Sequence, residues 1–232
     1  MKGLRRGLTG NQLKLLALVA MTLDHVGLQL LPEVPLLRIL GRLAFPIYGW
    51  MIAEGCRHTH SPGKYLLRLV ELAAVCQIVY YFAMGSLYQC VLVTFSLSVW
   101  LIFAFDRMKT RKTLPATLGF LLAAGAVVFL TLGLPRLLTG TDYAIDYGLW
   151  GILLPFLVSL GTTPKQRLGL AIPALVGLGA CYGGIQWWGL MALPVLALYN
   201  GQRGNRSLGR LFYLYYPAHL VVIYALGLVL GI

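Results

Sequence analysis

Nine apolar stretches, short joins rich in Gly and Pro, and basic residues that favour alternate joins define an all-α chain. It reads as a polytopic transmembrane helix bundle of about nine spans, one domain over 1–232. The composition requires such a fold: of 232 residues, 59% are hydrophobic and 11% charged. A soluble globule of this size has too little polar surface in such a sequence to cover its core. The lipid bilayer removes the difficulty, since each crossing needs about 20 mostly apolar residues and every backbone group is satisfied inside a helix.

The predicted spans are 12–31, 37–55, 65–84, 88–105, 114–133, 147–161, 167–182, 185–200 and 208–230. Pro32 and Pro35, Pro62-Gly63, Pro115, Gly140, Pro164, and Gly201 with Gly204 mark the joins. The pair 167–182 and 185–200 is short and divided by Gly183-Gly184. It reads either as two tilted helices or as a re-entrant hairpin.

Charge gives the bundle a direction. With the N-terminus in the cytoplasm, sixteen of the nineteen Lys and Arg residues fall on the inner side. They are Lys2, Arg5, Arg6 and Lys14; Arg57, Lys64 and Arg68; Arg107, Lys109, Arg111 and Lys112; Lys165 and Arg167; and Arg203, Arg206 and Arg210. This is the positive-inside bias, and it puts the C-terminus outside. Only Arg38, Arg42 and Arg136 fall on the outer side. The formal net charge of +12 is therefore a topology signal. Nucleic-acid binding is not expected, because the basic residues form no common face. Cys56, Cys76, Cys90 and Cys181 have neither CxxC nor zinc-site spacing, and no metal site is expected. No cleavable signal peptide is expected, because the first apolar stretch is long, carries Asp24-His25 and lacks a small-residue cleavage site. No internal repeat of the kind that builds inverted-repeat transporters is evident.

Ionisable residues inside apolar spans are costly and mark candidate sites. His25 lies about 12 residues beyond the inner end of the first span, roughly 18 Å deep at 1.5 Å per residue. Adjacent helical residues diverge by about 100°, so Asp24 and His25 are expected to face two different neighbours. His25 shares its face with Met21, Thr22 and Gln29. Arg38 and Arg42 are one helical turn apart in the second span. They need an anion, and Asp24 across a short loop is the natural one. Their guanidiniums either stabilise an oxyanion or keep Asp24 charged; the other reading is snorkelling to headgroups. In the last span, His219 lies roughly 16 Å from the inner side, close to the level of His25. It follows Tyr213, Tyr215, Tyr216 and Pro217, and the proline frees a carbonyl near Tyr213. A structural Tyr–His contact is the plainer reading. Two imidazoles at one depth suit proton transfer near neutral pH.

Three further groups complete the candidates. Arg57, His58, Thr59, Lys64 and Arg68 surround an inner loop whose cations and hydroxyls suit a phosphate, although an ordinary positive-inside loop looks the same. Asp142 and Asp146 precede the sixth span on the outer side, where they either meet a cationic substrate or cap a helix in a solvated loop. Glu54, at the inner end of the second span, is expected to pair with a nearby Arg.

Taken in order, these residues resemble the TraX family of membrane proteins, named for the F-pilin acetylase of conjugative plasmids. The resemblance rests on Lys14 with Met21-Thr22-Leu23-Asp24-His25; on Arg38-Ile39-Leu40-Gly41-Arg42-Leu43-Ala44-Phe45-Pro46; and on Gly55, His58-Thr59 and Lys64-Tyr65 to Arg68. It continues in Asp146-Tyr147-Gly148 and in Tyr213 with Tyr215-Tyr216-Pro217-Ala218-His219. It implies an acyltransferase (acetyl-CoA-dependent) in the bacterial cytoplasmic membrane, acting on an amine or hydroxyl of an acceptor peptide or glycan. It assigns catalysis to His25, Asp24 and His219, the CoA phosphates to the segment Arg57–Arg68, and the acceptor side to Tyr216, Asp142 and Asp146. Two competing readings stand beside it: a proton-coupled transporter or flippase of a small anion that uses the same His and Arg residues, and a non-catalytic scaffold of a secretion apparatus, for which His25 and His219 are dispensable. Oligomeric state is left open.

Overall fold

A computed structural model of the chain describes residues 7–204 and 209–231, without the side chains of Ala83 and of residues 209–214. Lys2, Arg5, Arg6 and Arg206, and the Arg210 side chain, which contribute to the charge bias, lie outside the described residues. Among those described there is no strand; two isolated bridges, Leu8 to Tyr199 and Gln89 to Ile145, are the nearest approach to one.

The helices are α1 (Gly10–Gln29), α2 (Pro35–Gly41), α3 (Ala44–His58), α4 (Pro62–Met84), α5 (Val91–Arg111), α6 (Leu114–Val128), α7 (Leu134–Leu137), α8 (Gly148–Leu160), α9 (Pro164–Tyr182), α10 (Ala192–Ala197) and α11 (Gly209–Leu230). A π-helical turn, Phe129–Gly133, joins α6 to α7, and a 3-10 segment, Gly184–Met191, leads into α10.

Local chemistry explains several boundaries. A reciprocal capping box, Thr9 with Gln12, starts α1. The second predicted span, 37–55, is divided at Arg42–Leu43. Pro46 has no N–H to return to the Arg42 carbonyl, and its ring excludes that carbonyl from a regular turn. Pro135 acts likewise on the Thr131 carbonyl. There the chain widens instead, and the Leu134 N–H reaches back five residues to Phe129. α5 runs six residues past the predicted boundary at 105, so Arg107, Lys109 and Arg111 are helical.

The chain forms two compact units, residues 1–51 with 175–232, and residues 52–174. In the first, α1 packs on α2 and α11, and α2 also meets the 3-10 segment. The α1–α2 approach depends on glycine. A Cβ at Gly27 would sit 2.8 Å from Leu37 Cβ, and one at Gly41 would run into the Asp24 side chain. In the second unit α5 is central and packs on α4, α6 and α8. Leu101, Ala123, Val127, Ile145 and Ile152 form a core there, and Ser98 donates at 3.0 Å to the Ile152 carbonyl of α8.

Among the described residues, four helical stretches are long and apolar enough to cross a membrane: Pro35–His58, Pro62–Phe82, Val91–Arg111 and Leu114–Leu137. Two of them, Pro62–Phe82 and Leu114–Leu137, have only 11% of their most apolar window buried. Val75, Ile78 and Phe82 on one, and Leu118, Leu121 and Leu122 on the other, are left exposed. An apolar surface of this extent faces lipid, not water. The remaining predicted spans are more modest. α8 has 13 residues, about 20 Å against a hydrocarbon core of about 30 Å. The predicted span 185–200 is a 3-10 segment and a short α-helix, not one continuous α-helix.

The expected nine-span order, with the N-terminus inside, has a direct consequence. In a cysteine-free background, His60→Cys should react with an impermeant maleimide only from the cytoplasmic side, and Thr141→Cys only from the opposite side. Labelling of both from one side would refute the order.

Candidate active site

The site grows from adjacent residues on α1. Asp24 faces α2, where its Oδ2 receives the Arg42 guanidinium and lies 3.0 Å from Arg38 Nη1. Asp24 and Arg42 are 8% and 7% exposed, so this is a buried ion pair with a second cation at its edge. Both guanidiniums foreseen as oxyanion ligands are thus engaged with Asp24. Their geometry favours the other role foreseen for them, keeping that carboxylate charged. Gly41, whose role the sequence reading missed, permits the contact by leaving room for Asp24. Its signal was a small residue between two arginines one turn apart.

His25 points instead to α11. Its Nδ1 lies 2.9 Å from the Met21 carbonyl, and His219 Nδ1 lies 2.9 Å from the Tyr215 carbonyl. A carbonyl oxygen only accepts, so both Nδ1 atoms carry hydrogen. In the neutral rings both Nε2 atoms then carry lone pairs. His219 Nε2 lies 3.2 Å from His25 Nδ1 and accepts from it. The Nδ1–H of His25 is shared between Met21 and His219. His25 Nε2 has no hydrogen-bond partner among the described residues and keeps its lone pair. The rings meet edge to face, with centroids 5.0 Å apart.

Aromatic packing fixes His219, which is 6% exposed. The Tyr215 ring stacks on it at 5.2 Å with 7° between planes, and Tyr216 meets it edge-on at 5.8 Å. The Tyr215 hydroxyl is 2.7 Å from Thr22 Oγ1. Thr22 donates its own hydrogen to the Leu18 carbonyl at 2.9 Å, so Tyr215 is the donor to Thr22. Ala20, Met21, Ala44 and Tyr48 close the apolar surroundings. The tyrosine–histidine contact is therefore stacking plus a backbone bond, with the hydroxyl turned to α1. The side chain of Tyr213 lies outside the described residues.

The basic segment belongs to the second unit. Arg57 and His58 form the last turn of α3, and Lys64 and Arg68 lie on α4. Arg57 donates at 3.0 Å to the Gly161 carbonyl, and His58 Nε2 is 2.8 Å from Glu54. Thr59 Oγ1 accepts from the Ser61 N–H at 3.3 Å. Lys64 and Arg68 are exposed and form no ion pair with a described residue. Glu54 pairs with buried Arg167, an arginine the sequence reading counted only as a loop charge.

Asp142 and Asp146, also in the second unit, do not share a helical face, because the stretch before α8 is irregular. Asp142 accepts from the Ser86 hydroxyl and, at 2.8 Å, from the Leu87 N–H. Asp146 accepts from the Tyr88 hydroxyl at 2.8 Å, and its carbonyl accepts from Thr94 at 2.6 Å. Neither side chain caps α8, which begins after Tyr147 in a left-handed conformation. These acids tie two loops together.

The family model described as TraX protein matches residues 9–227. The chain belongs to the TraX family. It is 28% identical over 251 aligned positions to the probable fimbrial assembly protein FimC, serogroup H1, of Dichelobacter nodosus. That alignment covers 91% of this chain and 93% of the relative. A shorter match, 56% identical over 36 residues, links it to the uncharacterized protein RP591 of Rickettsia prowazekii (strain Madrid E), covering 16% of this chain and 14% of that protein. No solved structure matches.

Two outcomes test this geometry. Arg42→Ala leaves Asp24 buried beside a single peripheral cation. It should destabilise this TraX-family protein in detergent by about 3–5 kcal/mol, whereas the apolar pair Asp24→Leu with Arg42→Met should recover much of the loss in thermal unfolding. The second concerns Asp142, whose carboxyl is held below the usual carboxylate range by the Ser86 hydroxyl and then the Leu87 N–H. Its contribution is present above the unfolded carboxylate value and is lost as pH falls through the lower folded value. Asp142→Asn should flatten that acid-side loss in a melting-temperature series.

Proposed function

We propose that this TraX-family membrane protein is an acetyltransferase, moving an acetyl group from acetyl-CoA to an amine or hydroxyl acceptor at the bacterial cytoplasmic membrane. The observation that carries the reading is the Nε2 lone pair of His25, which no described residue occupies, set by two backbone bonds and by His219. A general base needs an available lone pair and a fixed ring, and this arrangement supplies both.

In the proposed reaction, His25 Nε2 takes the proton of the acceptor N–H or O–H as that atom attacks the thioester carbonyl carbon. The bond from acceptor to carbonyl carbon forms, the carbon–sulfur bond breaks, and His25 returns the proton to the leaving thiolate. While His25 is protonated, its Nδ1–H stays directed at the His219 lone pair, which stabilises the imidazolium. Asp24 offsets the nearby Arg42 charge, so a second positive charge on His25 meets less repulsion. His219 is a positioning residue here, with Tyr215 holding its plane.

Lys64 and Arg68 retain exposed cationic heads that fit a CoA phosphate, and Arg57 and His58 are partly committed elsewhere. A pilin-like N-terminal amine is the acceptor we favour. The family name and the name fimbrial assembly protein given to a full-length relative both point to pilus subunits.

Protein in detergent, supplied with labelled acetyl-CoA and an amine-bearing peptide, should form acetyl-peptide. His25→Ala should lower the rate by about 10²–10⁴-fold, with partial rescue by added imidazole. His219→Ala should lower it less and shift the pH profile. Absence of acetyl-CoA binding at millimolar concentration, or full activity in His25→Ala, would falsify the reading. Anion flux in liposomes without acetyl-CoA would favour a transporter.

A further inference from the structure

The second unit holds a cavity of about 850 Å³ whose α5–α6 wall the chemistry above does not use; Cys56 and Pro62, on either side of the Arg57–Ser61 segment, also line it. It runs along the α5–α6 pair and changes character along its length. On α5, Trp100, Phe103, Arg107 and Arg111 line it. Their spacing of three, four and four residues puts them on one helical face. The apolar pair comes first and the guanidiniums follow, about 10 Å further from Trp100 to Arg107. Thr113, just before α6, and Gly119, on α6, line it too; Thr113 follows Arg111 by two residues, which puts it at the polar end. An ideal Cβ at Gly119 meets nothing within 4 Å, so the groove is open there.

The polar end carries unbalanced charge. Arg107 and Arg111 are exposed, and neither forms an ion pair with a described residue. Like charges one turn apart repel. One carboxylate, Asp106, also lines the cavity, which leaves one positive charge in excess. This end lies on the side that the basic residues assign to the cytoplasm. A ligand that fits has a phosphate at one end and an apolar body at the other.

We infer that the α5–α6 groove is a binding site for an anionic glycerophospholipid, with the phosphodiester at Arg107 and Arg111 and an acyl chain lying over Trp100, Phe103 and Gly119. The gradient from charged to apolar lining is what separates a lipid from a free phosphate. Inorganic phosphate would use the arginines and leave the apolar end without purpose. Basic pockets beside transmembrane helices on the cytoplasmic side hold lipid headgroups in this manner.

Native mass spectrometry of the detergent-solubilised full chain tests the site, with phosphatidylglycerol, phosphatidylcholine and acetyl-CoA as separate probes. Phosphatidylglycerol should bind in preference to phosphatidylcholine. Arg107→Gln with Arg111→Gln should weaken it about thirtyfold, the worth of two arginines near an anionic lipid surface. Gly119→Leu keeps every charge and suits a helix better than glycine, yet fills the groove, and it should also reduce retention. Equal binding of the two lipids, or unchanged phosphatidylglycerol adducts in either variant, would overturn the site. Displacement of phosphatidylglycerol by acetyl-CoA would overturn the lipid assignment. None of these outcomes depends on acetyl transfer.

Discussion

The buried ion pair of Asp24 with Arg42 sets the terms for the first unit. Removing a carboxylate and a guanidinium from water costs several kcal/mol each, and the cost is offset only when the partners meet in good geometry. That meeting constrains the chain on both sides. Gly41 must lack a side chain, because a Cβ there would occupy the place of Asp24. Gly27 must do the same opposite Leu37. Arg38, one turn before Arg42, then reaches the same Asp24 oxygen. The chain between α1 and α2 is short, so sequence alone brings these groups near each other. The glycines convert nearness into contact.

The ion pair also determines what its neighbour can do. Because Asp24 is turned to α2, His25, about 100° around the helix, is turned to α11. The two residues serve different partners although they are adjacent in the chain. This is a property of helical geometry and needs no tuning. It separates a fixed charge from a titratable group and keeps the imidazole free of a direct carboxylate partner.

That division was legible in the sequence, as were the helical class, the pairing of Asp24 with the arginines, and the shared depth of His25 and His219. Each follows from a period of 3.6 residues and from the cost of a charge in lipid. Other features were not legible. Pro46 and Pro135 produce different outcomes, a break and a widened turn, which the presence of a proline does not by itself distinguish. Asp142 and Asp146 read as substrate-facing or helix-capping acids, but the stretch before α8 is irregular and both carboxylates bond to the loop after α4. Arg167 was indistinguishable from any loop arginine until Glu54 was seen beside it. The α5–α6 cavity was hidden because the span ending at 105 placed Arg107 and Arg111 in a loop, where helical spacing from Trp100 has no meaning.

The two histidines illustrate how identical local bonds give unequal roles. Each Nδ1 donates to the carbonyl four residues before it, Met21 on α1 and Tyr215 on α11. Taken alone, each ring would expose an equivalent basic Nε2. Contact removes the equivalence, since His219 directs its Nε2 at the Nδ1–H of His25. One lone pair is occupied by the other ring, and one remains. The remaining base therefore belongs to the half-buried His25, and the occupied one to the more buried, stacked His219. An exchange of roles would require His219 to give up its contact with Tyr215 or with His25. The stacking of Tyr215 on His219, and the bond from its hydroxyl to Thr22, oppose that movement.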